Sequence, residues 1–104
     1  MHSNIEREKN MNQNSACMYT NYFSAIEGFQ KQSIITYYAE DTPDGVFFRL
    51  MQKGDFTEHT ESCLCPSISL ESGKHVLKYI WENRIGVGCW YEILHDLDIP
   101  FTVV

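Results

Sequence analysis

Basic residues are scarce in this chain: eight Lys and Arg stand against 14 Asp and Glu, a formal net charge of −6 over 104 residues. The shortage is uneven. Residues 1–31 are neutral, with Glu6, Glu8 and Glu27 offset by Arg7, Lys9 and Lys31, so the deficit falls on residues 32–104, where eleven acids meet five bases. Such a segment offers no basic patch of the kind that follows a phosphate backbone or an anionic lipid surface. Direct binding to nucleic acid or membrane is therefore not expected, whereas a basic protein partner is compatible with the charge. Long hydrophobic runs are missing too. No stretch approaches the roughly 20 apolar residues of a membrane span, and Met1 to Tyr19 lacks the apolar centre of a secretory signal, so a cytoplasmic location is expected. In that compartment Cys17, Cys63, Cys65 and Cys89 are expected as free thiols. Also lacking are a nucleophile with base and oxyanion donors, a phosphate loop with its lysine, and paired Cys-x-x-Cys spacings. No enzyme activity and no cofactor are expected on that evidence.

Apolar material is plentiful: the chain is 43% hydrophobic and 13% aromatic, enough for one real core. Residues 1–17, rich in Asn, Ser, Glu and Lys, read as a disordered tail, and residues 18–104 as one domain. Met18 to Phe29 reads as a short helix through Tyr22, Ile26 and Phe29, although Tyr19, Tyr22 and Phe23 also suit a strand. Ser33 to Glu40 is a strand by its β-branched and aromatic content, and Asp41-Thr42-Pro43-Asp44-Gly45 is a turn. Val46 to Gln52 is a second strand whose apolar run implies burial on both faces or a central place in the sheet. Lys53-Gly54 supplies a tight hairpin turn, and Phe56 to Cys65 returns as a polar edge strand. That register sets Met51 opposite Phe56, Arg49 opposite Glu58 and Phe48 opposite His59.

The stretch from Leu70 to Leu97 carries the clearest pattern. Gly73, Val76, Leu77, Ile80 and Trp81 share one helical face, with Lys74, Lys78 and Glu82 opposite. Ser69 or Ser72 caps its start, and Gly86 suits the left-handed position after its end. Trp90, Ile93, Leu94 and Leu97 form the stripe of a second helix, which Pro100 ends. Phe101 to Val104 reads either as an added strand or as a short exposed motif. The expected class is α+β: a three-stranded antiparallel β-meander followed by a C-terminal helical hairpin, with a short N-terminal helix. The layout Tyr37-Tyr38, Gly45-Val46-Phe47, Val76-Leu77-Lys78-Tyr79-Ile80 and Trp90-Tyr91-Glu92-Ile93-Leu94-His95-Asp96-Leu97 resembles a family of small proteins of Gram-positive anaerobes that has no established activity. The likeness covers roughly residues 33–97 and implies a fold, with no chemistry attached.

His59, Cys63 and Cys65 fall on one side of a strand, and with Cys89 they form a conceivable tetrahedral metal set. Cys-x-Cys lacks the spacing of the usual zinc knuckle, so no bound metal is expected. Gly86-Val87-Gly88 before a helix has neither the strand nor the lysine of a phosphate loop and is explained as a helix–helix turn. A DNA-reading helix is excluded by Glu92, Asp96 and Asp98, which phosphates would repel.

What remains is an interaction protein that occupies a surface of another protein, favoured by its many Tyr, Phe and Trp. Its composition is similar to that of small acidic phage inhibitors of bacterial defence, anti-CRISPR proteins among them. Carboxylates standing in for phosphates would then engage a nucleic-acid-handling partner through Glu58 and Glu61 on the edge strand and Glu92, Asp96 and Asp98 on the second helix. A Cys/His metal or redox sensor and a small enzyme with a fold-assembled site are the alternatives.

Overall fold

A computed structural model describes residues 15–28 and 30–104; most of the expected tail, and Phe29 of the expected N-terminal helix, lie outside them. The elements run β1 (Ala16–Phe23), β2 (Ser33–Thr42), β3 (Gly45–Gly54), β4 (Glu58–Cys65), α1 (Leu70–Glu82), α2 (Trp90–Asp96) and β5 (Thr102–Val103). The strands form one antiparallel sheet in the order β1-β2-β3-β4-β5. Among the described residues no helix is long and apolar enough to cross a membrane.

Alternation along the strands decides everything that follows, because successive side chains of a strand point to opposite faces. Ile35, Tyr37 and Ala39 of β2, Val46, Phe48 and Leu50 of β3, and Cys63 and Cys65 of β4 are all buried, and the registers place them on one face. Both helices cover that face, closing the core with Leu77 and Ile80 of α1 and Trp90 and Leu94 of α2. The intervening residues of the same strands are half-buried or exposed throughout. The sheet therefore has one packed side and one open side, and the β3 run is buried on one face only, its apolar content going with its central place among the five strands.

The three-stranded meander with a helical hairpin does not fit this architecture. The expected N-terminal helix is strand β1, paired with β2 from Ala16↔Glu40 to Phe23↔Ser33, so Ala16 and Cys17 belong to the sheet and not to a tail. Tyr19, Tyr22 and Phe23 follow their strand preference here, since an extended partner is available in β2. The chain end supplies β5, which pairs Val103 with Cys63 and Thr102 with Leu64, so β4 is flanked on both sides along its C-terminal half. The β3–β4 hairpin turns later than its Lys53-Gly54 signal suggests: Gly54 donates to the Thr57 carbonyl at 2.9 Å, and Arg49 lies opposite Ser62 rather than Glu58. The displacement is four residues, an even number, so Phe48, His59, Cys63 and Cys65 keep the shared face read from their spacing.

The helices lie on the sheet separately instead of forming a hairpin. α1 crosses it from β3 to β1. Gly73 sits so close to β3 that a Cβ there would meet Val46 Cγ1 at 3.0 Å. At the other end, Trp81 stacks on Tyr19, with ring centroids 4.5 Å apart, and donates its indole N–H to the Thr20 carbonyl at 3.0 Å. Ser69 caps α1 by accepting from the Ser72 amide. Its C-terminus closes with Arg84 N–H on the Trp81 carbonyl and Ile85 N–H on the Ile80 carbonyl. Arg84 itself takes the left-handed position, φ 54°, which the sequence pattern assigned to Gly86. α2 closes identically, with Asp98 at φ 57° and bonds from Asp98 to His95 and from Ile99 to Leu94.

The Trp81 carbonyl at the end of α1, already accepting from the Arg84 amide, takes a second bond from Asn21, which ties the helix end to β1. This buried side chain of β1 donates its amide to the Trp81 carbonyl at 2.8 Å and to Tyr37 Oη at 3.2 Å, while Tyr37 Oη donates to the Ile85 carbonyl at 2.9 Å. Arg84 adds bonds to Asn21 Oδ1 at 3.4 Å and to the Tyr22 carbonyl at 2.9 Å, and lies over the Phe23 ring. Asn21→Ala removes three hydrogen bonds at this junction, each worth about 0.5–1.5 kcal/mol, and is expected to destabilise the fold by about 1–3 kcal/mol in urea denaturation. A change within about 0.5 kcal/mol, the range of ordinary surface substitutions, would show the amide to be dispensable.

Candidate interaction surface

The open side of the sheet is the least ordinary surface of the molecule. A solvated antiparallel face normally carries polar side chains. Here it presents Met18, Tyr22, Ile34, Tyr38, Phe47, Met51 and Leu64, with Met18 64% and Tyr22 71% exposed, and no described element covers them. At its centre Tyr38 and Phe47 meet edge to face, centroids 6.5 Å apart. The Arg49 guanidinium lies 5.2 Å from the Tyr38 centroid and 5.6 Å from that of Phe47. Its side chain makes no hydrogen bond or ion pair with any described residue, so its planar fork is held by two rings while its N–H donors stay open. Tyr38 donates its hydroxyl to Glu40 Oε1 at 2.8 Å, a bond that, with burial, raises the phenol above its ordinary value. The charged residues of this face, Glu40, Arg49, Lys53 and Glu58, sum to zero. The formal −6 therefore belongs to the turns and the helical side, where ten acids meet four bases.

The five expected partner-binding carboxylates are divided by the fold. Glu58 and Glu61 lie on opposite faces of β4. Glu58 is on the open face, directly opposite Lys53. Glu61 points under the helices, where Oε1 accepts the Gly88 amide and the Trp90 indole N–H, each at 2.8 Å, and Oε2 meets His59 Nε2 at 3.4 Å. It is an internal anchor for the start of α2. Burial opposes its charge, but the Gly88, Trp90 and His59 contacts outweigh that and hold its carboxyl below the ordinary range. Only Glu92, Asp96 and Asp98 stand exposed on α2 and its C-terminal turn.

The sulfur and imidazole donors do not form a common site. Cys63 and Cys65 are fully buried, His59 is exposed at the hairpin end of the strand, and Cys89 is exposed ahead of α2. Among the described residues no three His, Cys, Asp or Glu side chains gather as metal ligands. The Cys63 thiol is raised by its hydrogen bond with Cys65 and by burial, and burial also raises Cys17 despite nearby Lys74. These two environments disfavour reactive thiolates.

A groove of about 510 Å³ opens beside α1 on the packed face, lined by Phe23, Ile35, Gln52, Phe56, His59 and Arg84 among others. Of its two cations, Arg84 is tied to Asn21, Tyr22 and Phe23, and Lys31 shares the lining with Asp55. Nothing else in the groove forms a converging set of charges.

Two outcomes follow from the buried groups. Glu61→Gln keeps an acceptor for Gly88 and Trp90 but removes the charge. The folded carboxyl titrates below the unfolded one, so its stabilisation is present above about pH 5 and is lost as pH falls through the folded value. The wild-type chain should thus lose stability on acidification more steeply than Glu61→Gln; parallel melting curves across pH 3–7 would contradict this. In the native protein a disulfide reagent should modify Cys89 and, more slowly, Cys17, with Cys63 and Cys65 reacting only after denaturant is added. Four fast thiols would mean that β4 is not sealed beneath the helices.

No family model, curated protein or solved structure matches this chain, so its surface is interpreted from its own geometry.

Proposed function

We propose that this chain is an interaction protein that works by occupying the surface of another protein, with the open sheet face as its contact surface. The observation that carries the reading is Arg49: an arginine stacked on two aromatic rings, its donors unpartnered among the described residues, on an aromatic- and methionine-bearing face that no described element covers. Tyr and Arg dominate the energetics of protein contacts, because a large rigid body and a polar end can be buried together. An uncovered patch of this kind marks an association site in a folded chain. The complementary surface is apolar, with a carboxylate placed to accept the guanidinium in the bidentate geometry that arginine favours.

A second reading, in which carboxylates stand in for phosphates toward a nucleic-acid-handling partner, is favoured by the exposure of Glu92, Asp96 and Asp98 together on one short segment. The fold weakens it by committing Glu61 internally and placing Glu58 on the other side of the sheet.

Capture from a native lysate separates the two. With the tagged full chain as bait, Arg49→Glu and Phe47→Ser should each abolish recovery of a bound protein, while Lys at positions 92, 96 and 98 together should leave it intact. Binding lost with the helix trio, kept with the sheet variants and weakened by added salt would move recognition to the acidic helix.

A further inference from the structure

We infer that the open sheet face is a self-complementary interface for a second copy of this chain, assembled about a two-fold axis that sets Arg49 of each copy against Glu40 of the other. This rests on the reading of that face as a contact surface and names its occupant.

The first argument is charge. The rest of the molecule carries the whole formal −6, so two copies repel through their turns and helical sides, while the open face is neutral and opposes no approach. The second is the placement of the two ions. Arg49 lies directly opposite Tyr38, and Glu40 is two residues further along β2 on the same face, which makes Arg49 and Glu40 diagonal neighbours. Diagonal positions of a sheet stand about 7–8 Å apart. Any two points of a plane are exchanged by the in-plane two-fold perpendicular to the line that joins them. A second sheet turned over about that axis brings Glu40 above Arg49 and Arg49 above Glu40, one contact repeated twice, as a two-fold interface requires. Each group has capacity for it: among the described residues the guanidinium has no hydrogen-bond partner, and Glu40 is engaged through Oε1 alone, by Tyr38. The guanidinium stays stacked on Tyr38 and Phe47 as it pairs, so the ions meet with aromatic carbon around them.

The third argument is area. The four long strands have eight to ten residues each. At about 4.8 Å between strands and about 3.3 Å per residue, the face has a footprint of about 500 Å². Two faces then bury about 1,000 Å² before side-chain relief is counted, the level at which specific interfaces begin. Met18, Tyr22, Ile34 and Met51 surround the ion pairs with apolar surface, as facing sheets do when their side chains interlock.

Sedimentation equilibrium of the full chain over the micromolar range tests this. The wild-type protein should pass from monomer to dimer as concentration rises. Arg49→Glu and Glu40→Arg should each raise the dissociation constant at least about tenfold, and the double exchange should restore it, because the pair is rebuilt with its signs swapped. Met51→Lys, which leaves both ions in place, should also dissociate the dimer, and circular dichroism with melting temperature confirms that each variant is folded. A wild-type chain that stays monomeric throughout, a dimer indifferent to these substitutions, or single exchanges not rescued by the double one would overturn the inference. A monomer that still captures a protein through Phe47 and Arg49 overturns the dimer alone; a monomer that captures nothing overturns the contact-surface reading with it.

Discussion

The Asn21 amide is the tie on which the one-sided architecture depends. A helix laid across a sheet ends with carbonyls that have no partner in the helix, and over an apolar face water does not reach all of them. Asn21 reaches up from β1 to Trp81, Tyr37 reaches up from β2 to Ile85, and Arg84 reaches back down to both Asn21 and Tyr22. Together with the Trp81 ring on Tyr19 and its indole bond to Thr20, these bonds link the end of α1 to the outer strand β1. They also explain why Arg84 adopts a backbone conformation that suits glycine: its side chain is needed where that turn delivers it. A non-glycine residue there costs about 1 kcal/mol, which its two hydrogen bonds and its stacking on Phe23 offset.

Glu61 plays the corresponding part for α2. A half-buried carboxylate beside a helix start is costly to desolvate, and its charge is favoured by the Gly88 amide and the Trp90 indole, with the His59 imidazole alongside. Both helices are thus positioned by polar side chains of the sheet, with the apolar core supplying adhesion that has no direction of its own. The division of labour leaves the opposite face outside the helix-covered core. What that face displays, including an arginine held by aromatic rings, has no counterpart in the packing of the core.

The packed side of the fold was largely legible in the residues. Leu77, Ile80, Trp90 and Leu94 lie where helical spacing puts them, and Ser69 caps the first helix as its position suggests. The open side was not, because Val46 to Met51 reads as one continuous apolar run; only a knowledge that both helices lie on one face separates Phe48 and Leu50 from Phe47 and Met51. β1 was misread for a related reason. Tyr19, Tyr22 and Phe23 satisfy a helical face and a strand face equally, and the decision rests on β2, a long-range partner that local propensity does not contain. The acidic cluster misled because charge is visible in a sequence whereas commitment is not: Glu61 looks the same on paper whether it faces water or Trp90.

The even displacement of the β3–β4 hairpin has a consequence for how this chain can vary. Inheritance acts on residue counts, and the segments differ in what counts they tolerate. From Glu61 to Cys65 the inward positions recur at every second residue, so a single insertion there would turn a thiol and a carboxylate out and bring Ser62 or Leu64 in. The tip, Asp55 to Thr57, joins two strands already aligned by their side chains, and a lengthened tip can bulge outward without disturbing them. Natural variants of this protein would therefore differ freely in length at the hairpin tip while keeping the odd spacing of Glu61, Cys63 and Cys65 intact.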